Sequence, residues 1–193
     1  MAKARKGADF QALLRKLNVA TNSLSEDEDV FAVTMAVLGA GPDQDQARRF
    51  RDELAFLRRL GPQWDADELV ARMRRTFAPQ PGSGRGYLGV TTMDLYANES
   101  RYVFGMAGIG ANCGVFSYRR YIGGVSDEPP DRERLKRRAL KQALSSTGLM
   151  FGLPRCTDPT CARAYANSLA EHDAKQVKLC PQCQQAFAKY FGN

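Results

Sequence analysis

The chain has 193 residues, enough for one domain with its own hydrophobic core and no need of disulfide staples. Twenty-eight basic residues against twenty-one acidic ones give a net charge of +7, which raises nucleic acid as a partner to be weighed. No apolar run approaches the ~20 residues of a membrane span, and the basic start, Met1 to Lys6, lacks the apolar stretch of an export signal. A cytoplasmic protein with no membrane partner is expected.

Residues 1–24 read as a basic tail followed by a short amphipathic helix marked by Phe10, Leu13, Leu14 and Leu17. Residues 25–80 read as a mainly helical segment. Ser25-x-x-Glu28 is a capping box before the apolar run Val30 to Leu38, which fits a helix or a buried strand equally. Gly39, Gly41 and Pro42 break the chain. Ala47, Phe50, Leu54, Leu57 and Leu60 then stripe a helix that Gly61-Pro62 ends. Ala66, Leu69, Val70, Met73 and Phe77 stripe another, and both stripes are expected to face a core.

A Pro/Gly-rich linker, Pro79 to Gly86, precedes β-rich sequence, and residues 84–193 read as the second unit. Gly105, Gly108, Gly110 and Gly114 lack the Lys-Ser/Thr of a phosphate loop and are read as turn glycines. Cys113, in an apolar setting, is read as a core residue. From Asp131 into Ser146 the apolar residues Leu135, Ala139, Leu140, Ala143 and Leu144 recur at helical spacing. Arg132, Arg134, Lys136, Arg137, Arg138 and Lys141 are expected on the outer face of this helix, as a solvated surface or one for an acidic protein. No helix-turn-helix or finger motif accompanies them, so direct nucleic-acid binding ranks last.

The helix runs into Ser145-Ser146-Thr147-Gly148-Leu149-Met150-Phe151-Gly152-Leu153-Pro154-Arg155-Cys156. With Gly152 set on its glycine, the zinc-protease frame H-E-x-x-H-x-x-G-x-x-H falls on Ser145, Leu149 and Arg155 for the histidines and Ser146 for the glutamate. That chemistry needs three imidazoles on an open-sited zinc and a carboxylate to take a proton from its water. The chain has one histidine, His172, so no rearrangement rebuilds the site. Behind it, Cys156-x4-Cys161 and Cys180-x2-Cys183 are two short chelating pairs joined by a helix-length spacer. That is the pattern of a four-thiolate structural zinc, and one zinc is the expected cofactor.

Taken with these features, Leu88-Gly89-Val90-Thr91-Thr92-Met93-Asp94-Leu95-Tyr96, Tyr102-Val103-Phe104-Gly105-Met106-Ala107 and Val115-Phe116-Ser117-Tyr118-Arg119-Arg120-Tyr121 resemble the archaemetzincin segments LGVTDxDLY, FVFGEA and VSxxRL. The resemblance covers Leu88 to the C-terminus. It implies an α/β metzincin-like fold: a mixed sheet with helices, carrying a four-cysteine zinc site. Of the family's two zinc ions only the structural one transfers, to Cys156, Cys161, Cys180 and Cys183. The family's methionine two residues after the second cysteine is Arg163 here.

The expectation that follows is a pseudo-metalloprotease: not an enzyme, but a protein–protein interaction module. Degenerate archaemetzincins of the CarG type imply a partner, a CarD-type transcription factor. Two alternatives stay open. One is a residual or non-canonical hydrolase in the old protease cleft, although no base is evidently paired with Ser145 or Ser146. The other is a nucleic-acid-binding zinc module.

Overall fold

A computed structural model describes residues 15, 31–38, 43–54, 56–77, 86–98, 100–122, 129 and 131–191. The elements in chain order are β1 (Phe31–Leu38), α1 (Gln44–Leu54), β2 (Arg59–Leu60), β3 (Gln63–Asp65), α2 (Ala66–Phe77), β4 (Gly86–Thr91), β5 (Leu95–Tyr96), β6 (Gly105–Ala107), β7 (Cys113–Ser117), a 3-10 turn (Arg119–Tyr121), α3 (Arg132–Met150), α4 (Leu169–Ala174) and α5 (Pro181–Phe191). The expected tail, the capping box at 25–28 and most of the linker lie outside the described residues, as does the first amphipathic helix except Arg15.

The main sheet has the order β1-β4-β7-β6, with β4 and β7 parallel and both flanking strands antiparallel to them. Strand periodicity sends alternate side chains of β4 and β7 to opposite faces. Tyr87, Cys113 and Val115 join Phe50, Leu69, Met73 and Phe77 of α1 and α2. Leu88, Val90 and Phe116 join Leu135, Ala139 and Leu144 of α3 and Phe187 of α5. The sheet is thus covered by helices on both sides, which is why its central strands read as unbroken apolar runs. A small second sheet, β2-β3-β5, lies outside it.

Three expectations are refined here. Of the open run Val30 to Leu38, the described residues 31–38 are a strand, and β1 takes the edge beside β4. The helix through Leu60 ends at Leu54; Leu57 is buried in a turn and Leu60 stands 61% exposed in β2. Gly61, at φ +58°, forms a two-residue turn with Pro62 that sets Leu60 opposite Gln63, so strand pairing captures the residues a helical stripe had claimed. Within α3, Arg138 and Lys141 do not face out: they are 1% and 5% exposed. Arg138 grips the Asp173 carboxylate through Nε and Nη2 and donates to the Tyr121 carbonyl at 3.2 Å. Lys141 Nζ donates to the carbonyls of His172 and Asp173 at 3.1 and 3.0 Å, at the C-terminal end of α4 where a cation is favoured. Two charges that looked like surface are the ties between α3 and α4. No helix among the described residues is long and apolar enough to cross a membrane.

Candidate functional site

α3 begins with Asp131, whose carboxylate accepts from the Arg134 N–H at 3.0 Å, and it ends at the emptied protease frame. Leu153 N–H bonds back to the Gly148 carbonyl and Gly152 N–H to the Leu149 carbonyl, both at 2.9 Å. That double closure needs a left-handed residue just past the helix, and Gly152 supplies it at φ +86°. The glycine of the frame is therefore kept by backbone geometry, independently of any metal. Of the positions the sequence marked, Ser145, Ser146 and Leu149 are buried, while Arg155 is exposed and stacks over the Tyr165 ring at 4.5 Å. Ser146 Oγ accepts from Gln142 Nε2 at 3.2 Å. A serine, a leucine and an outward-turned arginine offer a metal nothing to replace three imidazoles.

His172 sits on α4, fully buried, stacked on Tyr121 with ring centroids 4.9 Å apart. Its Nε2 bonds the Arg138 carbonyl at 3.0 Å, and burial pulls its pKa down to about 3. It is a neutral core group. Cys113 is fully buried, and burial pushes its thiol up to about 12, as suits an inert core thiol.

The four cysteines of the two spaced pairs meet. Their sulfurs all lie within 4.8 Å of one another, with Cys156 Sγ and Cys180 Sγ at 3.6 Å. Around a tetrahedral zinc with bonds of about 2.3 Å the sulfurs would stand about 3.8 Å apart, so the donor set and its spacing fit that ion. The first pair comes from a turn in which Cys161 N–H bonds the Asp158 carbonyl at 3.1 Å. The second brackets the start of α5, where Pro181 opens the helix and its N-terminal N–H groups favour thiolate. Cys180 N–H also donates to Cys161 Sγ at 3.4 Å, stitching the pairs together.

Arg163 joins this cluster to the emptied frame. It is 2% exposed; Nη1 donates to Cys183 Sγ at 3.3 Å, and Nη2 to the carbonyls of Leu153 and Pro154 at 2.7 and 2.6 Å. Its guanidinium occupies the space a Cβ on Gly148 would take. The sequence flagged Arg163 only as a departure. The clue to its role was the glycine inside α3, which leaves room for a neighbour.

A cleft of about 400 Å³ opens between β6, the edge strand of the main sheet, and the residues that follow α3. Gln142, Arg155, Tyr165 and Lys175 line it along with Arg101 and the chain from Tyr102 to Met106. Lys175 is 4% exposed, and its Nζ donates to the Ala164 carbonyl at 3.3 Å. Burial, then the nearby Lys141 and Arg155 charges, lower its pKa to about 8. Sequence reasoning passed over Lys175 because nothing in its neighbours along the chain marks it.

Residues 82–189 match Peptidase family M54, more than half of the chain. The archaemetzincin of Pyrococcus furiosus is 36% identical over 105 residues, 54% of this chain and 55% of that protein. That of Haloarcula marismortui is 31% identical over 127 residues, 64% of this chain and 70% of that one. The chain spans about half the length of the Pyrococcus relatives it matches. In fold it is similar to archaemetzincins from Methanopyrus kandleri (TM-score 0.57, 23% identity, 80% of this chain and 92% of that one) and Archaeoglobus fulgidus, the latter complexed with malonate (TM-score 0.55, 22% identity, 75% and 93%). These findings overturn the expectation that the chain is not an enzyme, because the family that it matches is a peptidase family. The missing imidazoles remove one route, a three-histidine zinc, and that argument does not reach hydrolysis by other groups. The α/β mixed-sheet architecture and the peptidase match agree: the chain belongs to Peptidase family M54, the archaemetzincins.

Proposed function

We propose that this archaemetzincin is a peptide-directed hydrolase whose reaction runs in the cleft beside β6, with one zinc on Cys156, Cys161, Cys180 and Cys183 in a structural role. Reduced thiols as ligands suit a reducing compartment such as the cytoplasm. The observation that carries the reading is Lys175, a buried amine on the cleft wall with pKa about 8. Enzymes bring lysines to about 7–8 so that the free amine can act as a base near neutral pH. In this scheme the amine takes a proton from water as its oxygen attacks the peptide carbonyl, and returns it to the leaving nitrogen. The Gln142 amide, on the wall of the same cleft, faces the developing oxyanion. The edge of β6 offers the substrate backbone a row of unpaired hydrogen-bonding groups.

The test is peptide cleavage by purified chain over a mixed peptide library, with Lys175→Met as comparison at matched folding and zinc content. Turnover that rises with pH through about 8 and disappears in the variant supports the reading. No turnover above a protein-free blank, or turnover indifferent to the variant, overturns it.

A second reading, a protein partner of the CarD transcription-factor type, draws on Phe56 and Leu60. Both are exposed apolar side chains in the segment outside the family match. Co-purification with such a factor, lost in Phe56→Ser, would support it; no retention of the factor would remove it.

A further inference from the structure

The charged side chains that line the cleft among the described residues are all of one sign. Arg101, Arg155 and Lys175 line it, and no Asp or Glu does among the described residues. Neighbouring cations are neutralised: Arg120 meets Asp94 at 2.7 Å and Arg138 holds Asp173. Arg101 and Arg155 form no ion pair among the described residues. Arg155 lies over the Tyr165 ring, which supports the guanidinium by its face and leaves its N–H edge to point elsewhere.

We propose that the cleft selects peptides carrying acidic side chains, whose carboxylates are received by Arg155 and Arg101. A peptide is favoured over other anions because the edge strand β6 runs along the same cleft and can pair with an extended backbone. The cavity of about 400 Å³ lies within the usual range for ligand sites, about 300–1,000 Å³. Asn98, Asn167 and Tyr102 add uncharged hydrogen-bonding groups to the wall. The proposal rests on the cleft being where peptides bind, as in the function proposed above, but not on their being cleaved.

Binding is measured by fluorescence anisotropy with three dye-labelled peptides of equal length, glutamate-rich, glutamine-rich and lysine-rich, at low and at physiological salt. The glutamate-rich peptide is expected to bind at least about tenfold more tightly than the glutamine-rich one at low salt, with the gap narrowing as salt rises. Arg155→Ala should remove most of the gap. Arg101→Glu, at an exposed position, should shift preference toward the lysine-rich peptide. Arg132→Ala, at the exposed start of α3, should change nothing. Equal affinity for the glutamate-rich and glutamine-rich peptides overturns the proposal. So does a single-stranded oligonucleotide that competes more strongly than the glutamate-rich peptide, which would assign the cleft to nucleic acid. Acidic-peptide binding without cleavage leaves this inference standing and removes the hydrolase reading; cleavage with no acidic preference does the reverse.

Discussion

Arg163 shows how a substitution that looks like decay in sequence becomes a structural part. Its guanidinium bonds one cysteine sulfur and two carbonyls of the turn after α3, and it fills the place of the missing Gly148 side chain. Arg163→Ala should cost about 3–5 kcal/mol, because it breaks a buried charged network and strands the two carbonyls. Gly148→Ala should cost about 1–3 kcal/mol through overpacking. In the Arg163→Ala background the Gly148→Ala cost should largely vanish, since the clash is with the guanidinium itself; chemical denaturation of the four proteins measures this coupling, and additive costs would contradict it. His172 supplies a pH dependence. Its folded pKa of about 3 lies below its model-peptide value of about 6.5, so the unfolded chain binds the proton first as pH falls. Its stabilising contribution is complete above pH about 6.5 and drains away as pH falls toward about 3. Replacing it with Phe, a shape the Tyr121 stack can accept, should flatten the stability-against-pH curve in that window relative to wild type. Curves that stay parallel would show that His172 takes up its proton as readily in the folded chain as in the unfolded one.

Among the elements, α2 was readable because all five apolar residues of its stripe are buried against one core. The end of α1 was not, because Leu57 and Leu60 continue a helical spacing by coincidence while Gly61-Pro62 makes a hairpin. The apolar run at 30–38 held no arbiter between helix and strand until β4 provided a partner across the sheet. The basic face of α3 was misjudged at Arg138 and Lys141 since the carboxylate and carbonyls that receive them come from α4, more than thirty residues on. At the end of α3, Leu149 is buried at one of the old histidine positions, and Leu149→Ala should destabilise by about 2–5 kcal/mol in thermal or chemical unfolding. A cost near zero would mean that the emptied frame is a cavity rather than a packed joint. The four-cysteine cluster was legible from spacing alone, since short chelating pairs need only a turn and a helix start to converge.

At the scale of the molecule, helices on both faces of one sheet leave β6 as an edge, and the cleft forms where that edge meets the chain after α3. No local sequence pattern announces such a cleft, because its walls come from segments far apart: Arg101 to Met106, Gln142, Arg155, Tyr165 and Lys175. The sequence reading held that Ser145, Leu149 and Arg155 supply no imidazole for a three-histidine zinc. It misled where that loss was extended to all chemistry. The proposed function is a division of labour, with metal on the cysteines and the reaction left to organic side chains of the cleft. Elemental analysis with zinc-edge X-ray absorption on protein purified without added metal tests that division most directly. The account predicts one zinc per chain with four sulfur neighbours at about 2.3 Å, and loss of both zinc and cooperative unfolding in Cys180→Ser. Two zinc ions per chain, or nitrogen and oxygen neighbours in the first shell, would contradict it.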